Sequence, residues 1–420
     1  MVWGVVILLV CLVLGLPIYV ALLSSGLYLL VIVKGIPIDI IIIGLYGGVA
    51  KFTLLAVPFF LLAGAFMQNS SISRRLVDCT VPWLVNVRGG IPMASIFANE
   101  LFGAISGSAP AAAATIGRVM FPVVSKVTGE KYALGLFTSA GALAIVMPPS
   151  INMILFATAT GASTGALFLA GIIPAMIIGL FYAAYIYISS PAPDQKEVFS
   201  LKYAFRKTLE GVPVLMFPVL ILGGIYLGVF TPTEAGAVSA VYAFILPFVI
   251  WREMGLKDIV ESIKNSVKLT AQIFILIAAS VVFSQALTMS HVPEILRQSL
   301  GSLGPFWFMV FLNIILLFVG CFFDPSSAVL VLGPVMAPIA EALGIDLLHL
   351  GVVFAVNLAI GMFTPPFGLN LFIIQSIFNR PLDQIARSVP RFFVVFLLAL
   401  IIITYFPQVY MWLPKLWLAQ

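Results

Sequence analysis

Residues 102–117, FGAISGSAPAAAATIG, interrupt a chain that is otherwise dense in leucine, isoleucine, valine and phenylalanine. All but three of these residues are Gly, Ala, Ser, Thr or Pro. Proline removes a helical hydrogen bond and clashes with the preceding turn, so Pro110 predicts a break in a helix. Backbone groups that such a break frees find no partners in lipid. We therefore expect this stretch to lie against protein or to line a water-filled cavity.

The rest of the chain has the composition of a membrane protein. Of its 420 residues, 62% are hydrophobic and 9% are charged, and the mean hydropathy is +1.17. Soluble domains carry roughly 25% charged residues. Apolar runs of about 15 to 30 residues predict membrane helices, because barrel strands alternate apolar and polar residues over about 10 residues. We expect an all-α polytopic membrane protein with about eleven transmembrane segments, in which residues 1–20 form a retained first span.

Several function classes lack support in the sequence. It has no HExxH motif, Ser163 in its GxSxG match (GASTG, residues 161–165) has no evident base, and its two histidines and three cysteines are scattered. We therefore expect neither an enzyme nor a metal site built from His or Cys. Without a Gly-Lys dipeptide there is no Walker A loop, and nothing supports binding of nucleic acid. The basic joints at residues 70–75, 194–207 and 379–391 indicate cytoplasmic loops or amphipathic surface helices.

The two halves of the chain resemble each other. At an offset of 216 residues, Gly117 corresponds to Gly333. One residue later in register, the Pro-Pro pair at 148–149 corresponds to the pair at 365–366, and an Asn follows each pair. The polar run 190–208 separates the halves. Internal repeats are typical of secondary transporters, in which substrate and ion sites lie between the repeats.

Four interruptions of the apolar spans share one composition. They lie at residues 106–110, 147–152, 323–327 and 363–370, and each combines Pro with Ser, Thr, Asp or Asn. Unwound carbonyl groups and side-chain oxygens suit Na+, and the N-terminal ends of half-helices favour a carboxylate. The candidate ligands of Na+ and of the substrate are Ser106, Gly107, Ser108, Pro148, Asn152, Asp324, Ser326, Ser327, Thr364, Pro365 and Asn370.

Acidic residues near these interruptions have more than one interpretation. An Asp at mid-membrane costs roughly 2.5–3.5 kcal/mol on insertion scales, so Asp324 indicates a nearby cation or a cavity. Asp324 can also be the N-cap of a helix that begins at Pro325, and the two roles are compatible. Glu234 follows Thr231 by three residues, which also fits a capping box. The role of Glu100, just before the first interruption, stays open.

These segments resemble the large membrane subunit of tripartite ATP-independent periplasmic (TRAP) transporters. The resemblance lies in VPFFLLAGAFM (57–67), FGAISGSAPAAAATIG (102–117), MPPSINMI (147–154), GVFTPTEAGAVSAVYA (228–243), FDPSSAVLVLGPVMAPIAEALGID (323–346) and GMFTPPFGLNLF (361–372). These segments follow one another in order over almost the whole chain. The resemblance is to a large subunit that is not fused to a small one.

The resemblance implies a Na+-coupled importer of an organic acid anion, of the sialic acid or C4-dicarboxylate class, in the inner membrane of a bacterium. It implies two inverted repeats, each with a re-entrant helical hairpin and a discontinuous helix, and elevator-type alternating access. The hairpin tips would lie at residues 106–110 and 324–327, and the helix breaks at 147–152 and 364–370. A small four-helix membrane subunit and a periplasmic substrate-binding protein would be the partners, and Na+ would be the coupling ion, with no cofactor.

The chain is expected to form a single transporter domain over residues 1–420, embedded in the lipid bilayer. The first repeat would lie within residues 1–190, a polar or amphipathic connector would follow at 191–211, and the second repeat and a C-terminal span would occupy 212–420. Two alternatives are a stand-alone Na+/carboxylate symporter of similar architecture and an ion channel. The symporter would need no partner, and the channel would conduct without substrate.

Overall fold

The computed structural model describes residues 2–191, 200–300 and 304–418, and its regular structure is helical throughout these ranges. The α-helices are, in chain order, α1 (Val2–Val13), α2 (Ile18–Leu27), α3 (Ile38–Val49), α4 (Ala56–Gln68), α5 (Ile72–Leu84), α6 (Gly90–Ser106), α7 (Ala109–Thr128), α8 (Glu130–Ala140), α9 (Ile151–Thr160), α10 (Thr164–Ser189), α11 (Leu201–Tyr226), α12 (Pro232–Ile245), α13 (Leu256–Met289), α14 (Val292–Leu300), α15 (Gly304–Gly320), α16 (Pro325–Ala342), α17 (Leu347–Gly361), α18 (Leu369–Phe378), α19 (Leu382–Ala386), α20 (Pro390–Tyr405) and α21 (Gln408–Leu418). Short 3-10 or π turns extend some of them, at Tyr28–Val33, Phe52–Leu55, Gly141–Ile145 and Leu246–Ile250.

Several of these helices have the length and composition of membrane spans. Within the described ranges, five are long and apolar enough to cross a bilayer: α10, α11, α12 with its π extension, α13 and α16. Two further spans result if α3 with α4 and α20 with α21, bent by 54° and 53°, each count as one. The prediction of an all-helical polytopic membrane protein is confirmed. The number of about eleven segments stays a prediction, because breaks divide the remaining apolar helices into short pieces.

Two pairs of helices form hairpins at the first and third interruptions. α6 and α7 pack against each other and are joined by Gly107 and Ser108. Gly107 has a φ of 57°, a left-handed conformation that glycine adopts without a steric penalty. α15 and α16 likewise pack together and are joined by residues 321–324. Pro110 and Pro325 lie in the first turns of the returning helices α7 and α16. A backbone N–H in the first turn has no partner within the helix, so proline is tolerated there. Each break therefore precedes its proline.

The second and fourth interruptions divide two further helices. α8 continues as a 3-10 turn and resumes as α9 after residues 146–150. α17 ends at Gly361 and resumes as α18 after residues 362–368. Both breaks contain a Pro-Pro peptide bond in the cis conformation, at 148–149 and at 365–366. The two sequence halves therefore share one order of elements: a hairpin followed by a broken helix.

Side-chain hydroxyl groups satisfy backbone carbonyls beside both breaks. Ser150 Oγ donates a hydrogen bond of 2.6 Å to the carbonyl oxygen of Ile145. Thr364 Oγ1 donates a hydrogen bond of the same length to the carbonyl oxygen of Ile360. Irregular backbone is tolerated at membrane depth where protein or a wet cavity provides such partners. The hydroxyl residues next to the prolines thus make the breaks compatible with a membrane interior.

The same close backbone approach occurs in both halves. A Cβ on Gly103 of α6 would come within 2.5 Å of the Ala144 Cα, and a Cβ on Gly361 of α17 would come within 2.5 Å of Gly320 backbone atoms in α15. Gly320 and Gly361 follow Gly103 and Ala144 by 217 residues each. Small residues let membrane helices approach closely. The outgoing arm of each hairpin therefore packs on the broken helix of its own half at equivalent positions.

The Gly361→Ala variant is expected to be destabilised by about 1–3 kcal/mol, because an added methyl group meets backbone that has no room to move. Gly223→Ala in α11 is the matched control, since no neighbouring atom of the described residues lies within 4 Å of a Cβ at that position. That variant should be neutral or more stable by up to about 1 kcal/mol, because alanine favours a helix. Thermal unfolding of the purified proteins compares them, and equal melting temperatures for the two variants would contradict the close packing.

The two halves interlock by reciprocal contacts. The returning arm of the second hairpin, α16, packs against α9 of the first half, and the returning arm of the first hairpin, α7, packs against α18 of the second half. A second group of helices packs beside this pair of repeats. In this group α13 packs against α2, α3 and α4, and α12 packs against α4. α13 also contacts α16, so it forms one wall beside the second hairpin.

Polar contacts gather several basic joints at one end of the helices. An ion pair between Glu130 and Arg380 connects the start of α8 to the segment after α18. At the same end, Arg88 Nε donates a 2.7 Å hydrogen bond to the carbonyl oxygen of Ser190, where α10 ends. Tyr132 of α8 shares a 2.9 Å hydrogen bond with Ser189. The other end, where α17 begins, carries acidic residues that include Glu341 and Asp346.

The predicted connector at residues 191–211 is described in part. Residues 192–199 lie outside the described residues. α11 begins at Leu201, so the later part of the connector is the first section of a long helix that continues into an apolar span. The division of the chain at 190 and 212 stays a prediction.

Candidate functional site

A cavity of about 430 Å3 lies where the hairpin tips and helix breaks meet. Four helices present their first residues to it: α7, α9, α16 and α18. The first turn of a helix carries free N–H groups and the positive end of the helix dipole. The polar side chains that line the cavity are those of Tyr19, Ser108, Asn152, Gln272, Asp324, Ser326 and Ser327. The cavity therefore combines side-chain oxygens, one carboxylate among them, with the positive ends of four helix dipoles.

The tip of the first hairpin packs tightly on the first helix break. A Cβ on Gly107 would lie 3.0 Å from the carbonyl oxygen of Pro149, so this position has little room for a side chain. The Ser108 N–H donates a 3.4 Å hydrogen bond to Ser106 Oγ. Ser106 is buried beneath the tip, whereas Gly107 and Ser108 line the cavity. Of the first tip, the cavity therefore receives the side chain of Ser108 and the backbone of Gly107.

The tip of the second hairpin is organised by Asp324. Its Oδ2 accepts a 3.0 Å hydrogen bond from the Ser327 N–H, and its Oδ1 accepts one from the Ser327 hydroxyl. Asp324 is therefore the N-cap of α16, as one of the two sequence interpretations predicts. The same carboxylate borders the cavity. The capping of α16 and a position beside the cavity thus coexist in one residue.

A hydrogen bond across the cavity wall joins the two halves of the chain. Ser326 Oγ, at the second hairpin tip, donates to Asn152 Oδ1, just after the first helix break, over 3.2 Å. The two residues are 174 positions apart in the sequence. Asn152 is almost fully buried, while Ser326 is half-buried. The polar wall of the cavity is therefore shared between the repeats.

Asn370 joins the halves at a second place, outside the cavity lining. Its Nδ2 donates a 3.0 Å hydrogen bond to the carbonyl oxygen of Thr138 in α8. Its backbone N–H donates a 2.8 Å bond to the carbonyl oxygen of Met362. Its Oδ1 is buried, and among the described residues it has no hydrogen-bond partner. A buried acceptor without a donor costs about 1–3 kcal/mol, so this oxygen is a candidate ligand for a cation.

The predicted site residues thus fall into two groups. The cavity brings together Gly107, Ser108, Asn152, Asp324, Ser326 and Ser327. It is not lined by Ser106, Pro148, Thr364, Pro365 or Asn370. Pro148 is buried in the first break, and Pro365 is exposed in the second. The second break therefore approaches the cavity through Met362 and Leu369.

Two polar residues of the cavity are not among the candidate ligands predicted from the sequence. Tyr19 of α2 and Gln272 of α13 line the wall that faces the hairpin tips, together with apolar side chains such as Leu61, Ile273 and Leu276. Gln272 lies within an otherwise apolar run. A polar residue in such a run is the signal that could have identified it. Tyr19 gives no comparable signal, because tyrosine is common near membrane interfaces.

The other acidic residues lie outside the cavity. Glu234 forms the predicted capping box: its Oε2 accepts a 2.8 Å hydrogen bond from the Thr231 N–H, and its own N–H donates to Thr231 Oγ1 over 3.3 Å. Glu100 is 8% exposed, and its Oε1 has no hydrogen-bond partner among the described residues. Gly179 of α10 leaves the space that the Glu100 carboxylate fills. The capping interpretation of Glu234 is confirmed.

Comparison with known proteins identifies the family. A profile of the family described as "Tripartite ATP-independent periplasmic transporter, DctM component" matches residues 5–409. The chain is 40% identical over 377 residues to the C4-dicarboxylate TRAP transporter large permease protein DctM of Pseudomonas aeruginosa. The aligned region covers 88% of this chain and 87% of that protein. The chain is also 32% identical over 416 residues to the sialic acid TRAP transporter large permease protein SiaM of Vibrio cholerae, and this alignment covers 96% of each protein.

A solved structure supports the fold alone. The YdaH transporter of Alcanivorax borkumensis superimposes with a TM-score of 0.53 over 90% of this chain and 87% of that one, at 14% sequence identity. The family match, in contrast, extends over nearly all of the described helices, including both hairpins and both helix breaks. The chain therefore belongs to the DctM family of TRAP transporter large permease subunits, and it is a multi-pass membrane transporter component rather than an enzyme.

Proposed function

We propose that this subunit imports an organic acid anion together with Na+, by an elevator-type movement of the two repeats. The observation that carries the proposal is the cavity at which the two hairpin tips and the two helix breaks meet. The substrate would belong to the C4-dicarboxylate or sialic acid class, after the relatives that share its sequence. The protein would reside in the cytoplasmic membrane of a bacterium.

The distribution of charge supports an orientation in the membrane. Basic residues are more frequent in loops on the cytoplasmic side. The end that is tied together by Glu130 and Arg380 also carries Lys131, Arg387 and Arg391. This end would face the cytoplasm. The opposite end, where α16 ends and α17 begins, would face the periplasm and receive substrate there.

The chemistry of the cavity supports Na+ as the coupling ion. Asp324 contributes a carboxylate, and Ser108, Asn152, Ser326 and Ser327 contribute neutral oxygens. Hard cations prefer such oxygen ligands. A carboxylate in the wall repels an anionic substrate unless a cation lies between them. The binding of Na+ would therefore precede or accompany the binding of the acid.

The anion itself would be held by helix ends. Among the described residues that line the cavity there is no Lys or Arg. The first turns of α7, α9, α16 and α18 offer N–H groups and partial positive charge instead. This arrangement binds a carboxylate without burying a full positive charge. Weak, reversible binding of this kind suits a site that must also release its substrate.

The membrane potential and the Na+ gradient would supply the energy. One net positive charge that moves inward gains about 2.3 kcal/mol per 100 mV. Tenfold accumulation of substrate costs about 1.4 kcal/mol. Cotransport of Na+ in excess over the charge of the acid would therefore concentrate the substrate without ATP.

The partners follow from the family rather than from this chain alone. A tripartite system contains a periplasmic substrate-binding protein and a small membrane subunit besides the large permease. The small four-helix subunit would brace the helices around α13, and the binding protein would deliver substrate to the periplasmic end. A stand-alone Na+/carboxylate symporter is the second candidate, because the likeness to YdaH shows that the fold also exists in another transporter.

Uptake into proteoliposomes tests the proposal. Vesicles that contain this chain with its small subunit should accumulate labelled succinate or N-acetylneuraminate when an inward Na+ gradient and the binding protein are both present. A K+ gradient of the same size should give no accumulation, because the coupling ion is Na+. Equal uptake in Na+ and K+ would overturn the coupling. Equal uptake without the binding protein and the small subunit would favour the stand-alone symporter.

A further inference from the structure

The wall opposite the hairpin tips contains two polar side chains that have no role in the proposed binding of Na+ or of the carboxylate. Gln272 of α13 and Tyr19 of α2 both line the cavity. Neither side chain makes a hydrogen bond within the described part of the chain. An amide and a phenol next to a cavity in a membrane protein need water or a ligand as partner. Their free donors therefore point to recognition of something in the cavity.

The setting of Gln272 strengthens this interpretation. The sequence around it, LTAQIFILIAASVVF at residues 269–283, is apolar apart from this amide and small hydroxyl residues. Placing an amide in lipid is costly, whereas placing it beside a wet cavity is not. The neighbours of Gln272 in the cavity wall, such as Ile273 and Leu276, are apolar. One amide in an apolar wall gives a directional contact at a defined position.

We propose that Gln272, assisted by Tyr19, binds the end of the substrate that lies away from the hairpin tips. This inference rests on the proposed function, in which helix ends at the tips hold one carboxylate. The amide N–H of Gln272 and the hydroxyl of Tyr19 donate hydrogen bonds to a second carboxylate, a hydroxyl or an amide oxygen. Gln272 is then a specificity residue: it selects acids that carry a second polar group and disfavours those with an apolar end.

The placement of Gln272 also limits when the contact exists. α13 packs against α2, α3 and α4, outside the two repeats. The tips and helix breaks belong to the repeats, which the proposed mechanism moves as a unit. The contact with Gln272 is therefore made while the cavity faces this wall and is lost when the repeats have moved. Substrate affinity, rather than the binding of Na+ at Asp324 and Asn152, should depend on it.

Binding titrations on the purified full chain in NaCl test the inference, with succinate and N-acetylneuraminate as probes and thermal stabilisation as the readout. Gln272→Leu should raise the Kd of the bound acid roughly tenfold, because a hydrogen bond to a charged group is lost. Gln272→Glu, which has nearly the same shape, should raise it further, since its carboxylate repels the anion. Gln285→Leu is the matched control: the same change in the same helix, at a position that does not line the cavity.

The outcomes separate this inference from the proposed function. Weakened acid binding in both Gln272 variants, with an unchanged Na+ titration and an unchanged Gln285→Leu control, supports it. If the wild type binds an acid and both Gln272 variants bind it with the same Kd, the inference is overturned and the proposed function stays intact. A wild type that binds neither acid in NaCl overturns both. A weakened Na+ titration in the Gln272 variants also overturns it, because the residue would then act on the cation site.

Discussion

The Asp324→Asn variant is expected to lose Na+-driven uptake roughly 100-fold, because the removed charge interacts with Na+ over a few ångströms in a partly buried site. The change leaves the fold intact for a specific reason. Asn is as good an N-cap as Asp, so the hydrogen bond that Asp324 accepts from the Ser327 N–H can be kept. The loss would therefore report on charge rather than on helix stability. Initial rates at saturating and at low Na+ distinguish a weaker Na+ site from a slower transport step.

Asp346→Asn is the matched control for this experiment. Asp346 is also an N-cap, of α17, and its Oδ1 accepts a 2.8 Å hydrogen bond from the Leu348 N–H. It does not line the cavity between the hairpin tips. The control should retain wild-type Na+ dependence. Ser108→Ala and Asn152→Ala remove single neutral oxygens and should weaken Na+ dependence less than Asp324→Asn; unchanged dependence in all three cavity variants would refute the site.

Oxidation of a Thr53→Cys/Thr158→Cys variant is expected to stop transport and reduction to restore it. Thr53 belongs to the turn before α4, and Thr158 lies in α9 of the first repeat. Their Oγ1 atoms are 3.3 Å apart, and Lys51 Nζ donates a 2.7 Å hydrogen bond to the carbonyl oxygen of Thr158. An elevator movement carries α9 past α4 and must break these contacts. A covalent bond between the two positions would therefore hold the repeats in one state.

The control crosslink lies within the second half of the chain. Asn313 Nδ2 donates a 3.3 Å hydrogen bond to Thr404 Oγ1, and both residues belong to helices of the second half, α15 and α20. Asn313→Cys/Thr404→Cys should transport normally after oxidation, because the two helices move together. Both variants need a background in which Cys11, Cys79 and Cys321 are replaced. Normal transport by the oxidised Thr53/Thr158 variant would contradict the elevator movement.

Much of the fold and the family could be predicted from the sequence, because its apolar runs and the prolines within them are each typical of one kind of structure. Long apolar runs determine a helical membrane protein, and prolines in such runs mark breaks. The repeated Pro-Pro pairs showed that the breaks come in equivalent places. The position of the first hairpin turn was predicted less accurately. The helix breaks at Gly107, whereas Pro110 already belongs to the first turn of α7.

The composition of the cavity was harder to predict. Each break supplies several polar residues, and sequence alone does not say which of them face inward. Ser106 and Ser108 are two positions apart, yet one is buried under the tip and the other lines the cavity. The opposite wall comes from α2 and α13, distant in sequence, so Tyr19 and Gln272 become visible only when helix packing is known.

The thermal stability of the purified protein tests, without any substrate or partner, whether Na+ binds between the two hairpin tips. A ligand present at about 100 times its Kd stabilises the folded state by roughly 2.7 kcal/mol. NaCl should raise the melting temperature of the wild type and of Asp346→Asn above the value in KCl or choline chloride, whereas Asp324→Asn should lose this difference and Asn152→Ala should show a smaller one. Melting temperatures of the wild type that are equal in NaCl and KCl, or a Na+ effect that persists in both cavity variants, would contradict Na+ binding between the tips.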